Sequence, residues 1–345
     1  MKLLAIRLDA AGDVLMCSPA LRALHEGGHR VTLLTSAAGT LAGERMAGVA
    51  DVLVWSAPWM KASASADADC VPQMAARLRE AGFDGAVIFC SYSQSPLPAA
   101  MLCQMAGIPL RLAHCRENPY QLLTHWVKES EPALGLRHEV QRQLDLVARL
   151  GCRPSSTRLS VRIADGDRMR AHQALEAAGI DGGRPWILLH PGASAPSRRY
   201  PAKRWREAAQ GLEREVGLPF AFAAGAHETA LLDEIIGPDR ERWPSLAGRL
   251  DFGALAAAIS MAGVLVACNS APAHLAAATG TPVVDLYALT NPQHAPWQVR
   301  QKLLFHPVPC AHCLQSVCPQ PHHACLDEVA AADVVAAVQE LLQPA

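Results

Sequence analysis

Three short stretches combine acids, small residues and cations at spacings that suit group transfer to a hydroxyl. The first is Asp9-Ala-Ala-Gly-Asp13, which closes an apolar run and opens a helical one. Asp13 has two readings there. It is a carboxylate capping a helix, or a general base that takes the proton from a hydroxyl as the hydroxyl attacks. The second stretch is Pro191-Gly-Ala-Ser-Ala-Pro-Ser-Arg-Arg-Tyr-Pro201. Its small residues let the backbone approach a ligand, Ser194 supplies a hydroxyl, and Arg198 and Arg199 supply fixed positive charge. That combination suits a diphosphate. The third is Cys268-Asn-Ser-Ala-Pro-Ala-His274, where small residues open a helix whose free amides and positive dipole end favour an anion. His274 lies just inside that helix start.

Each stretch follows a short apolar run, and the runs alternate with helical patterns along the chain. Strands are expected at Leu3–Leu8, Val31–Thr35, Val52–Trp55 and Ala86–Phe89, then at Trp186–His190, Phe220–Ala223, Val264–Ala267 and Pro282–Tyr287. Helices are expected around Val14–His25, Val71–Ala81, Pro98–Met105 and Arg137–Leu150 in the first half. In the second they are Asp167–Ala178, Lys203–Val216, Glu228–Ile236, Phe252–Met261, Pro272–Thr279 and Asp327–Leu342. Pro19 either kinks the first helix or sits in the first turn of a regular part that begins at Ser18. Strand–helix alternation with short loops argues for parallel sheets covered on both faces. The polar stretch after Gly151 is a natural link, which gives domains 1–155 and 156–326 and a final helix over 327–345. Open parallel sheets bind ligands beyond the C-terminal ends of their strands, where all three stretches lie.

The segments RLDAAGDVLMCSPALRAL, HPGASAPSRRYPAKRW and NSAPAHLAAATGTPVV resemble those of glycosyltransferase family 9, the heptosyltransferases of lipopolysaccharide core assembly. His227-Glu228 and the Thr290-Asn-Pro292 turn with Trp297 extend the resemblance, which runs from the first strand to the last helix. It implies a GT-B fold: two Rossmann-like parallel-sheet domains facing a central cleft, with acceptor on the N-terminal domain and donor on the C-terminal one. It also implies roles. Asp13 matches the catalytic base, Ser194 and Arg198 the groups holding the donor diphosphate, and Glu228 the carboxylate at the ribose. Asn269, Ser270, Ala271 and His274 match the motif around the donor phosphates and sugar. The family carries Asp-Thr-Gly where this chain has Asn269-Ser270-Ala271, and Lys where it has Arg198. Arginine keeps the charge and adds a fork geometry, whereas Asn269 removes a negative acceptor beside the sugar.

The implied reaction is metal-independent and inverting: a hydroxyl of a lipopolysaccharide-core or other glycan or glycolipid acceptor displaces ADP from an ADP-sugar, heptose or a relative. A transferase for another sugar donor, or a non-catalytic nucleotide-sugar-binding homologue, is the alternative. Composition narrows the field further. Of 345 residues, 50% are hydrophobic, and 31 Lys and Arg face 32 Asp and Glu with neither half a polycation, so a nucleic-acid partner has no electrostatic footprint. Arg7, Asp9 and Asp13 interrupt the N-terminal apolar stretch before it can serve as a secretory signal. A cytoplasmic protein, touching the inner membrane surface at most transiently, is expected. Seven of the eleven cysteines are scattered singly, as in a reducing compartment. The other four, Cys310, Cys313, Cys318 and Cys325, form a cluster with His312, His322 and His323. Structural zinc, free thiols and a redox role are its three readings. No cofactor is otherwise expected.

Overall fold

The computed structural model describes residues 1–61 and 69–344. The chain divides into two compact units, Met1–Arg162 and Ile163–Ala345. The first runs β1 (Lys2–Arg7), α1 (Ala11–Met16), α2 (Ser18–Glu26), β2 (Arg30–Thr35), α3 (Ala37–Gly43), β3 (Val49–Val54), α4 (Cys70–Ala81), β4 (Gly85–Ile88), α5 (Leu97–Met105), β5 (Leu110–Cys115), β6 (His125–Lys128) and α6 (Glu139–Val147). Its six strands are ordered β3-β2-β1-β4-β5-β6, and all neighbours pair in parallel. Ala5 at the centre of β1 stands opposite Leu33 on one side and Val87 on the other. A central parallel strand is covered on both faces, which is why Leu3 to Ile6 form a continuous buried apolar run rather than an alternating one.

The second unit runs α7 (Asp165–Ala177), β7 (Ile187–His190), α8 (Ala202–Glu215), β8 (Phe220–Phe222), α9 (Thr229–Ile236), α10 (Phe252–Met261), β9 (Val264–Cys268), α11 (Ala271–Thr279), β10 (Val283–Leu286), β11 (Gln301–Leu304), α12 (Ala324–Asp327) and α13 (Ala331–Leu342). Its sheet has the order β11-β10-β9-β7-β8, again wholly parallel. Trp205 of α8 and Val334, Val335 and Val338 of α13 cover one face of it together with Phe222 and Leu286. The final helix is therefore part of this unit's core and not an appendage.

Several elements depart from the sequence expectation for identifiable reasons. The helix expected over Val14–His25 is two helices broken at Cys17, with Pro19 in the first turn of the second. The link falls after Arg162 because residues 156–162 are tied to the first unit. Arg22 donates to the carbonyls of Ser156 and Arg158, and the Arg162 amide donates to Arg45. β5 carries Arg111 and His114 at buried positions, which disguises it as a polar stretch. Arg111 is tolerated because its guanidinium donates to the carbonyls of Gln121 and Leu122. β6 and β11 have no fully buried residue and so give no apolar run. α3 is small and capped by Ser36, whose Oγ accepts from Gly39 N–H.

Candidate functional site

In each sheet one pair of neighbouring strands has connections leaving in opposite directions, β1 with β4 in the first and β7 with β9 in the second. A crevice opens beyond the C-terminal ends of such a pair because the loops diverge. All three chemically loaded stretches lead off from these strands.

At the first crevice the organising residue is Arg7, the last residue of β1 and only 1% exposed. Its Nε meets Asp9 Oδ2 at 2.8 Å, Nη2 donates to Asp13 Oδ1 at 3.0 Å, and Nη1 donates to Glu139 Oε1 at 2.7 Å. Glu139 comes from the first turn of α6, 132 residues away along the chain, and is fully buried. Gln143 Nε2, one turn on, donates to the same Glu139 oxygen at 2.6 Å. Burial opposes a charge on Arg7, but attraction from Asp9, Glu139 and Asp13 outweighs it and strengthens the hold on its proton. Three carboxylates thus share one cation. Burial, with Asp13 as a like charge, pushes the Asp9 carboxyl above the ordinary range against the pull of Arg7. Asp13 lies at the third position of α1, with Ala10 at the N-cap, and its side chain is 24% exposed. An oriented, partly exposed carboxylate beside a fixed cation is equipped to accept a proton.

Beside it a cavity of about 470 Å³ opens between the ends of β1 and β4. Asp9, Gln94, Ser95, Trp59 and Lys61 are among its lining residues. Gln94 Nε2 donates to Asp9 Oδ1 at 2.7 Å, and Ser36 Oγ donates to the Asp9 carbonyl at 2.7 Å, so the loop is held from two sides.

At the second crevice the loops after β7, β8 and β9 converge. Ser270 Oγ reaches the Gly192 carbonyl at 3.3 Å, joining the β7 and β9 loops. Glu228, following β8, packs its carboxylate against Gly192 and accepts from Gly225 N–H at 2.9 Å. A Cβ at 192 would stand 2.2 Å from Glu228 Oε2, so this approach requires glycine. Arg198 sits in a single 3₁₀ turn, Pro196–Arg198, and its Nη1 lies 3.5 Å from the Asn269 carbonyl. Among the described residues no carboxylate stands within ion-pair distance of Arg198. Ser194 is exposed on the same loop.

Two sequence expectations change in detail here. The start of α11 offers fewer donors than its small residues suggested: Pro272 has no N–H, and Ala273 donates its own to the Ser270 carbonyl at 3.1 Å. Ala271 carries the remaining donor of those three. Asn269 is buried, and its amide pairs with both backbone groups of Ala288. Nδ2 lies 3.5 Å from the carbonyl and Oδ1 3.3 Å from the N–H. That side chain braces the loop after β10. His274 is buried one turn into α11.

Sequence reasoning missed Glu139, Gln143 and Asp285. Asp285, on β10, is fully buried, and among the described residues neither carboxylate oxygen has a hydrogen-bond partner. Burial drives its carboxyl far above the ordinary range, against the pull of Arg198. An acid inside the run Val-Val-Asp-Leu was the available signal. His190, at the end of β7, is held neutral by burial despite the nearby charge of Glu228.

The cysteine cluster is gathered in one place. Its four thiols line one cavity of about 30 Å³, yet among the described residues no three His, Cys, Asp or Glu side chains are placed to hold an ion. All eleven cysteines are free thiols. No helix among the described residues is long and apolar enough to cross a membrane.

Two parallel doubly wound sheets, each with polar loops at its crossing point, define the class as a two-domain nucleotide-sugar fold of the GT-B type. The family model for glycosyltransferase family 9 (heptosyltransferase) matches residues 72–324, and the chain belongs to that family. It is 28% identical over 173 residues to lipooligosaccharide heptosyltransferase 2 of Campylobacter jejuni, a match covering 47% of this chain and 52% of that protein. The chain thus spans about half the length of that curated relative. A family 9 glycosyl transferase from Veillonella parvula superposes with a TM-score of 0.79 at 18% identity, covering 99% of this chain and 97% of that one. ADP-heptose lps heptosyltransferase II of E. coli gives 0.75 at 21%, covering 99% and 98%.

Proposed function

We propose that the protein transfers heptose or a related sugar from an ADP-sugar to a hydroxyl of a lipopolysaccharide-core or similar glycan acceptor, with inversion. The observation that carries this reading is Arg198: a cation that, among the described residues, has no carboxylate within ion-pair distance, at the crossing point of the second sheet between a loop of small residues and a helix start. A diphosphate supplies the missing counter-charge. Donor binding at that site has Ser194 and Ala271 near the phosphates, Glu228 at the ribose, and Ser270 and His274 framing the pocket. Asn269 contributes through its carbonyl beside Arg198.

Asp13 takes the proton of the attacking hydroxyl. The nucleophile's electron pair forms the new bond to the anomeric carbon as the bond to the diphosphate oxygen breaks on the opposite face, which inverts the configuration. Arg198 stabilises the charge that grows on the leaving diphosphate, the contribution that weighs most in such reactions. The reading requires no metal, because Arg198 supplies the positive charge. The relative's name, lipooligosaccharide heptosyltransferase 2, supports the acceptor class. The cytoplasm is the compartment this reading implies, with the acceptor lipid approached at the inner membrane surface.

The test is Asp13→Asn. Turnover should fall by roughly 10²–10⁴ while ADP affinity stays within a factor of about two, since a general base acts on the acceptor. A variant that turns over at the wild-type rate removes Asp13 from the chemistry.

A further inference from the structure

The segment 310–325 has no part in the transfer reading, yet its hydrogen bonds run to the donor-phosphate loop. Ser197, the buried residue immediately before Arg198, has three polar groups, and this segment engages all three. Its N–H donates to the Ser316 carbonyl at 3.1 Å and its Oγ donates to the Gln315 carbonyl at 2.7 Å. His323 Nε2 donates to the Ser197 carbonyl at 2.7 Å. The other ring nitrogen, Nδ1, lies 3.5 Å from Asp327 Oδ1, one turn further along the chain.

The segment is fixed on its other side as well. His312 N–H donates to the Leu289 carbonyl at 2.6 Å, and Leu314 N–H donates to the Thr290 carbonyl at 3.0 Å. Both donors adopt left-handed backbone conformations, with φ of 62° and 55°. Such conformations persist where surrounding bonds over-determine them. Ser197 and Arg198 share one 3₁₀ turn, closed by Arg199 N–H on the Pro196 carbonyl at 3.1 Å. A shift of Ser197 must therefore carry Arg198 with it.

We propose that the 310–325 segment sets the position of Arg198, with His323 as its main positioning residue, so that nucleoside-diphosphate affinity depends on how this segment is seated. The inference rests on the donor-site reading above. It has a chemical corollary. Cys310, Cys313, Cys318 and Cys325 surround a void of about 30 Å³ bounded by Ser197, Leu289 and Thr290. That is room for about one water, so a maleimide adduct that enters the void from any of these half-buried thiols displaces the segment from Ser197.

The experiment is ADP titration calorimetry on the full chain with His323→Ala, His323→Gln, Arg198→Ala and the His323→Ala/Arg198→Ala pair. His323→Ala should weaken ADP binding about five- to tenfold, the loss of one hydrogen bond's worth of positioning. His323→Gln, whose amide nitrogen can replace Nε2 as donor, should restore most of it. In the Arg198→Ala background, His323→Ala should cost nothing more, because residues acting through one another are non-additive. Wild-type affinity in His323→Ala alongside a weakened Arg198→Ala overturns the inference and spares the donor site. A full additional loss in the double variant shows that His323 acts elsewhere and overturns it too. Unchanged affinity in Arg198→Ala removes the donor reading itself and the inference with it. Reciprocity gives an independent readout. Saturating ADP should slow N-ethylmaleimide labelling of the four clustered thiols relative to Cys70, and an unchanged ratio refutes the coupling.

Discussion

Replacing Arg7 with methionine tests the buried charge cluster that holds Asp13. The substitution keeps an unbranched apolar stem, though a shorter one, and removes the cation facing three carboxylates. Those carboxylates do not suffer equally. Asp9 and Asp13 have side chains 17% and 24% exposed, so water can take over part of the solvation, whereas Glu139 is at 0%. The loss therefore falls mainly on Glu139, which retains the Gln143 Nε2 bond. Removing one partner of a buried ion pair costs about 3–5 kcal/mol. With the bond from Gln143 retained, the lower end is expected, about 3 kcal/mol. For a unit of this size that corresponds to roughly 6–12 °C in Tm. Thermal melts followed by circular dichroism at pH 7.5 and pH 5 provide the assay. The destabilisation should shrink at the lower pH, because an uncompensated buried carboxylate regains stability by taking up a proton. Pairing Arg7→Met with Glu139→Leu should recover much of the loss, since the one fully buried carboxylate goes with the cation and only the two partly exposed ones remain. A loss below 1 kcal/mol, as for an exposed pair, or no recovery in the double variant, refutes the account of a buried shared cation.

Two further outcomes follow from the same geometry. Gly192→Ala should drive the Glu228 carboxylate from its place beside Gly225 and weaken ADP binding by about 10–100-fold, as for a lost hydrogen bond to a charged group. Isothermal titration with ADP reads this directly, and wild-type affinity would take Glu228 out of the nucleotide site. Asp9→Asn addresses pH dependence. The folded-state pKa of Asp9 lies above its unfolded value near 3.9, so its favourable contribution is complete below about pH 3.9 and is lost as pH rises through the folded value. The asparagine variant, which can still accept from Gln94, should melt above wild type at pH 7, with the gap closing towards pH 4. A lower Tm at pH 7 would mean that the Arg7 attraction outweighs burial at Asp9.

How much of this was legible in the sequence depends on the distance over which each signal acts. The repeating order of strands and helices was readable because parallel strands buried on both faces must be continuously apolar, as β1, β7 and β9 are. The loop after β7 stood out because a run of small residues ended by paired arginines has no packing purpose. The strands that escaped notice break the rule that makes strands visible: β5 buries Arg111 and His114, and β6 and β11 lie at sheet edges. What sequence could not supply was partnership across long separations. Glu139 looks like an ordinary first-turn acid, and only the fold brings it to Arg7 from 132 residues away. Asn269 shows the same limit in reverse. Its type suggested a group reading the sugar, whereas its amide pairs with the donor and the acceptor of one peptide unit, Ala288. An aspartate there could accept from the N–H but would face the carbonyl with a second acceptor. The residue that departs from the family pattern is thus matched to the backbone behind it, and that match is a structural reason for asparagine independent of which sugar is bound.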